Sequence, residues 1–275
     1  MLRQQQVEDS LALKVAVTPT LDCLPLFVAE QEGWFEKEGV SVQLRRYTAQ
    51  MDQDTALLRH RVEGMTTDRE RLNWIKEQGM DVEEVAQTDL KWQLVTNKTA
   101  RIKQLKQLDD KMLAMTRRSA TDMLARRAID SVGLQPERVF RIQVNDVNVR
   151  LDMLQNNEMD ALLMTEPQAT QALTGKHHVI LDTRKLDMRM GVIAEDSVAM
   201  SHPSRQRQRD VLVKGYNMAC DSLNRYGVKH YIDVIRKYYK LSEQALQQLP
   251  DTLKFDHVAA PRQKDIDRAK RWVKH

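Results

Sequence analysis

Few side chains in this chain stand at spacings that do covalent chemistry. Its two cysteines, Cys23 and Cys220, have neither metal-ligand nor redox spacing, and whether they pair is left to the fold. Cys23 ends the polar stretch Thr18 to Cys23, and reads either as a nucleophile or as a small polarizable wall of a pocket. No histidine lies near it in sequence. His177-His178 have no carboxylate or cysteine at metal spacing, so they are expected in a surface loop and no metal centre is expected. There is no glycine-rich phosphate loop and no nucleophile beside its base, so no catalytic set is expected. What remains is the chemistry of holding a ligand. Thr116-Arg117-Arg118 precede Ser119-Ala120-Thr121-Asp122, a capping-box pattern opening a helix. Free N–H groups and the helix dipole at such a start favour an anion, and either arginine can add a charge-assisted hydrogen bond. Asp22, Asp52 and Asp68 act the other way and favour a neutral or cationic ligand such as an amine or pyrimidine.

Elements must bring these residues together. Leu13 to Val17 has the length and β-branched content of a buried strand. After the polar loop, Pro25 suits a helix start, Leu24, Phe27 and Val28 recur at helical spacing, and Gly33 can supply the left-handed residue that ends the helix. Val40, Val42 and Leu44 then alternate as a strand. A strand–loop–helix–strand unit places its ligand beyond the carboxyl end of the strands, which puts Thr18 to Leu24 at the mouth of a site. Tyr47 to Asp54 reads as a polar loop and Thr55 to His60 as a short helix, and Asp68 can cap the next helix. Val82 to Gln87 and Lys91 to Thr96 read as strands, the second crossing to a new unit, with Trp92 a half-buried strand aromatic.

The alternation restarts near Lys98. Met112 to Met115 is a strand, Leu124, Ala128 and Val132 pattern a helix ending at Gly133, and Phe140, Ile142 and Val144 alternate. Asn145 or Asp146 caps a helix bearing Val147, Leu151 and Leu154; Met159 to Met164 follows as a strand, and Thr165-Glu166-Pro167 repeats the strand-edge-then-proline device. Met190 to Ala194 reads as a strand returning to the first unit, and helices alone follow it.

Composition is that of ordinary folded material: 275 residues, 30% charged and 41% apolar, with 43 basic against 39 acidic side chains interspersed. No lysine or arginine block stands out, so nucleic acid is not an expected partner. No apolar run of about 18 residues is present to span a membrane. The first ten residues, MLRQQQVEDS, lack the apolar centre of a signal peptide; a cytosolic chain would look so, and so would an exported one without its leader.

The stretch PLFVAEQEGWFEKEGVSVQL, after a strand and a polar loop, resembles the amino-terminal signature of solute-binding proteins of bacterial ABC importers. The branch is the one that takes nitrate, sulfonates, taurine and thiamine-pyrimidine precursors. The second block continues the likeness through Asp110-Lys111, the serine-opened helix from Ser119 to Gly133, and Asp160-Ala161-Leu162-Leu163-Met164-Thr165-Glu166-Pro167. Departures are the missing glycine before Lys111, Asn157-Glu158-Met159-Asp160 in place of a glycine-rich turn, and His60-Arg61-Val62-Glu63-Gly64 where Ser-Gly-x-x-Asp is common. The resemblance runs from about Lys14 to Trp272, and it implies a short strand ending in a small polar loop at Arg61 to Asp68.

The resemblance implies an α/β, two-lobed, type II periplasmic-binding-protein-like fold with a cleft between the lobes. Residues 12–95 and 187–275 would form lobe one and 96–186 lobe two, with the helical tail packed on lobe one. The cleft is expected to be lined by Thr18, Asp22, Cys23, Leu24, Gln50, Met51, Thr67 and Asp68 from one side. Thr116, Arg117, Arg118, Ser119, Thr121, Asn145, Thr165 and Glu166 are expected from the other. The implied function is capture of a small solute, sulfonate- or nitrate-like, by hinge closure, for delivery to the membrane permease of an ABC importer. A monomer without cofactor, periplasmic or lipid-anchored at the cell envelope, goes with that. The alternative is an enzyme on the same fold, a thiamine-pyrimidine synthase or a chorismate-processing enzyme; the former would be expected to show clustered cysteines near a histidine. A transcription regulator would need a DNA-reading helix pair that the amino terminus does not provide.

Overall fold

The computed structural model describes residues 11–273; the polar first ten residues lie outside it. The opening unit consists of β1 (Leu13–Val17), α1 (Leu24–Gln31), the short α2 (Trp34–Lys37) and β2 (Val42–Arg46). Pro25 sits in the first turn of α1, where a missing N–H has no helical partner to lose. Gly33, at φ 65°, turns the chain out of α1 in the left-handed region. Next come α3 (Gln50–Leu58), β3 (Gly64–Asp68), α4 (Arg69–Glu77) and β4 (Val82–Thr88). These strands join a five-stranded sheet in the order β2-β1-β3-β10-β4, where β10 (Gly191–Asp196) is antiparallel to both neighbours and β1 is parallel to β2 and β3.

The second sheet is built from β5 (Gln93–Thr96), β6 (Lys111–Met115), α5 (Ala120–Ser131), β7 (Val139–Gln143), α6 (Val147–Gln155), β8 (Ala161–Met164), α7 (Gln168–Thr174) and β9 (His178–Asp182). Its order is β7-β6-β8-β5-β9, with β5 antiparallel to β8 and β9 and β6 parallel to β7 and β8. Each sheet therefore carries one antiparallel strand, placed where the chain crosses between sheets. Residues 89–92 and 183–190 make the two crossings, and they are tied together. The Trp92 N–H donates to Thr183 Oγ1 at 2.8 Å, and Lys91 Nζ to the Met188 carbonyl at 2.8 Å.

Helices α8 (Pro203–Tyr226), α9 (Ile232–Tyr238) and α10 (Glu243–Gln247) cover the first sheet, and α11 (Gln263–Val273) packs on α4. Phe27, Phe35, Leu212, Tyr216 and Leu223 share one core there, with Phe27 stacked on Tyr238 at 4.2 Å. Leu94, Leu113, Leu124, Ile129 and Leu151 belong to the separate core of the second lobe. The architecture is α/β and two-lobed, with a cleft between the lobes.

Three local expectations need correction. Residues 50–54 are not loop: α3 starts at Gln50, because no glycine or proline interrupts the run and the inward polar groups are satisfied. Gln53 Nε2 donates to the Ala16 and Thr66 carbonyls, and Asp54 accepts from Arg71. No loop follows β3, since Asp68 ends the strand and caps α4 at once, accepting from the Arg71 N–H at 2.7 Å. At the Ser119 helix start only half of the capping box forms. Ser119 Oγ accepts from the Thr121 N–H, whereas Asp122 turns outward to the Arg118 N–H and to Arg141.

Candidate functional site

The lobe-one wall of the cleft begins where β1 runs out. Thr18 and Thr20 lead into a single 3-10 turn, Leu21–Cys23, that points Asp22 inward. Asp22 is only 5% exposed. Its carboxylate accepts from Thr20 Oγ1 at 2.6 Å and from Thr88 Oγ1 at 2.7 Å, and no basic side chain forms an ion pair with it among the described residues. Burial pushes its pKa above the usual aspartate value, against the two hydroxyl donors. The turn fits only because residue 191 is glycine: a Cβ there would stand 2.9 Å from Asp22 Oδ2 and 2.6 Å from Leu90 Cβ. Asp22 thus depends on the chain's return at β10.

Asp68 comes next along the wall. Besides capping α4, its carboxylate accepts from Gln50 Nε2 at 3.1 Å, and the Ala120 N–H of α5 is turned to it from the other lobe. The helix start read as an open anion seat therefore already has a carboxylate over it. Behind Asp68, Arg71 joins Asp54 at 2.5 Å and lies over the Trp74 ring.

The lobe-two wall is made by Thr116, Asn145, Val147 and Arg150, with Leu90 and Trp92 on the crossing between lobes. Arg150 is 1% exposed and belongs to α6, on the same face as Val147, Leu151 and Leu154. Its Nε donates to the Val144 carbonyl at 2.7 Å, Nη1 to the Leu163 carbonyl at 2.8 Å and Nη2 to Thr116 Oγ1 at 2.7 Å. None of these acceptors is charged. The charge that bears on it is Asp146, occupied in capping α6 through the Asn148 and Val149 N–H groups. Burial without a counter-ion draws the guanidinium down to about 9. Arginine carries five donors, so two N–H bonds remain after these three. Trp92, 6% exposed, lines the same cleft with its indole Nε1 lacking any hydrogen-bond partner. The cleft holds about 470 Å³ of space, its open mouth included.

Of the residues expected at the site, Thr18, Asp22, Gln50, Thr67, Asp68, Thr116 and Asn145 line this cleft together. The others stand apart from it. Cys23 is fully buried behind the wall, 3.1 Å from Thr66 Oγ1, with its thiol pushed up to about 12 by burial, and Leu24 lies in the lobe-one core. Met51 is exposed and meets Gln143 across the lobes. Arg117 and Arg118 side chains are exposed, while Ser119 and Thr121 bond each other and Thr116. Thr165 and Glu166 are buried, Glu166 accepting from the Thr170 N–H and hydroxyl and from Gln93. Cys23 and Cys220 are both free thiols. Sequence reasoning put Thr20 within the mouth loop without singling it out, passed over Thr48, Gln53, Thr66, Leu90 and Val147, and set Trp92 aside as structural. It also missed Arg150, although an arginine on the apolar stripe of a helix was there to be noticed. Among the described residues no group of three or more histidines, cysteines or carboxylates could hold a metal ion. No described helix is long and apolar enough to cross a membrane.

Two mixed sheets, two crossings and a polar cleft between lobes define a periplasmic-binding-protein fold. The chain belongs to the NMT1/THI5-like family, whose model matches residues 20–246. The alkanesulfonate-binding protein SsuA from Xanthomonas axonopodis pv. citri, solved bound to MOPS, is similar over 96% of this chain and 91% of its own, at 14% identity and a TM-score of 0.82. The periplasmic aliphatic sulphonate-binding protein SsuA from Escherichia coli matches over 96% and 90%, at 15% identity and a TM-score of 0.78. The periplasmic nitrate-binding protein NrtA from Synechocystis PCC 6803 matches over 93% and 74%, at 14% identity and 0.74. No curated protein matches the chain.

Proposed function

We propose that this chain is the substrate-binding component of an ABC importer. It captures a small solute in the cleft and closes on it by rotation about the crossings at residues 89–92 and 183–190, which join the two lobes. It then presents the solute to a membrane permease, as a monomer that is periplasmic or lipid-anchored at the cell envelope. The single observation that carries this reading is Arg150, a buried cation on the wall of an interlobe cleft with no carboxylate partner among the described residues. A buried charge is normally paired, so a cation kept unpaired at a cleft is supplied with its partner by a ligand. Solutes with an oxyanion fit it, and sulfonate- and nitrate-binding proteins are the similar structures. Titration calorimetry and thermal shift with nitrate, sulfonates, carboxylates and pyrimidines test the reading. A ligand at about one hundred times its Kd should stabilise the protein by about 2.7 kcal/mol, a rise of several degrees. Arg150→Gln should abolish the shift for any oxyanion. A panel in which nothing shifts the transition would sink it.

An enzyme on the same fold, of the thiamine-pyrimidine-synthase or chorismate-processing kind, keeps one observation in its favour: Asp22 is a buried carboxyl with a raised pKa in a cleft. Turnover of a cleft ligand, lost in Asp22→Asn, would favour it over transport.

A further inference from the structure

We infer that the cleft is built for a small zwitterion, with an ammonium held by Asp22 on lobe one and an oxyanion held by Arg150 on lobe two. This rests on the solute-binding reading and narrows its ligand. The two side chains line one cleft from opposite lobes, are 5% and 1% exposed, and form no ion pair with each other. Among the described residues, Asp22 accepts from two threonine hydroxyls and meets no cation, and Arg150 gives three of its N–H bonds to uncharged oxygens and meets no carboxylate. Each alone would be a costly isolated charge. A simple anion would satisfy Arg150 but would set its own charge in a cleft where Asp22 stays unpaired. A simple amine would leave Arg150 in the same state. A ligand charged at both ends satisfies both and ties the lobes together.

Two further observations fix where each end goes. Asp68 is not free to take the ammonium, since the Arg71 N–H and Gln50 Nε2 already donate to its carboxylate. The Asp68 charge bears on the α5 start and disfavours an anion there, so the oxyanion is left to Arg150 and the Trp92 Nε1–H beside it, unpartnered among the described residues.

Calorimetry on the full chain with matched ligands tests this: β-alanine against propanoate and propylamine, and 3-aminopropanesulfonate against propanesulfonate. At least one zwitterion should bind about tenfold or more tighter than either of its one-ended analogues, as expected when one partner of a buried charge pair is removed. Asp22→Asn should erase that advantage while leaving the affinity for the one-ended anion equal or higher. The parent series decides by itself if Asp22→Asn fails to fold. Propanoate and propanesulfonate each binding as tightly as its amino counterpart would overturn the zwitterion and leave solute capture standing. Binding of no member, alongside a nitrate or aromatic solute that does bind, would do the same. Binding of nothing in either panel would overturn both readings.

Discussion

Asp22 owes its position to residue 191, which has no side chain. A Cβ on Gly191 would press on Thr88, on Leu90 and on the Asp22 carboxylate itself. Gly191→Ala should therefore cost about 1–3 kcal/mol by overpacking and should also weaken ligand binding, because Thr88 can no longer hold Asp22. Denaturant melts read the first effect and calorimetry the second; a variant as stable and as tight as the parent would show that the close approach does not matter. Cys23 offers the opposite lesson. It sits one residue from Asp22 yet faces away, and burial holds its thiol up to about 12. Its alkylation at pH 8 should be far slower in the folded protein than in denaturant, and Cys23→Ala should leave ligand affinity within about twofold, well under one hydrogen bond's worth. Sequence position put both residues at the mouth and could not separate them, since which way a side chain turns within a 3-10 turn depends on its neighbours. Thr66, Thr88 and Gly191, all distant in sequence, make that choice here.

At the scale of elements, α4 and α11 are joined by charge. Arg268 lies between Glu70 and Asp265, 2.5 Å from the latter, and also donates to the Arg189 carbonyl on the returning crossing. Asp265 accepts from Gln87 at the end of β4, so α11 holds both edges of the chain's passage between lobes. Glu70 Oε2 has no partner, and burial, helped by the Asp68 charge, raises the Glu70 pKa from 4.5. With the folded-state value above the unfolded one, the protonated native form is favoured. That contribution is present below about 4.5 and is lost as pH rises through the raised value. Glu70→Gln should accordingly be more stable than the parent at pH 8 and gain little at pH 4, as urea midpoints at the two values can tell; equal differences at both would refute the shift. Much of this scale was legible in advance. Strand and helix order follows from apolar periodicity and from glycine and proline punctuation, which act locally. The start of α3 at Gln50 was not, because Gln53 and Asp54 look like loop residues until Ala16, Thr66 and Arg71 satisfy them. Arg150 was hidden for a related reason: its partners are carbonyls of β8 and of the β7–α6 turn, and sequence does not print which carbonyls lie bare.

For the whole molecule, the proposed closure has to be held by contacts between lobes that the ligand does not make. Gln168 on α7 donates to the Pro19 carbonyl at 2.7 Å, Arg71 Nη1 to the Arg117 carbonyl at 2.9 Å, and the Gln50 N–H to the Asn145 carbonyl at 3.2 Å. At the far side the Ser242 N–H donates to Gln171 Oε1 at 2.7 Å, so α10 and α7 also meet. Each such bond is worth about 0.5–1.5 kcal/mol net, comparable to the free-energy gap between two conformations of one protein. Gln168 is the cleanest to remove, since it is buried and is absent from the cleft lining. Gln168→Ala should shift the population toward open lobes, so that the apparent Kd rises about two- to tenfold, the reduction expected when a binding-competent state is less populated. Small-angle scattering without ligand should show a larger radius of gyration for the variant, returning to the parent's value at saturation. Unchanged affinity together with an unchanged radius would mean that the Gln168 bond does not bias closure.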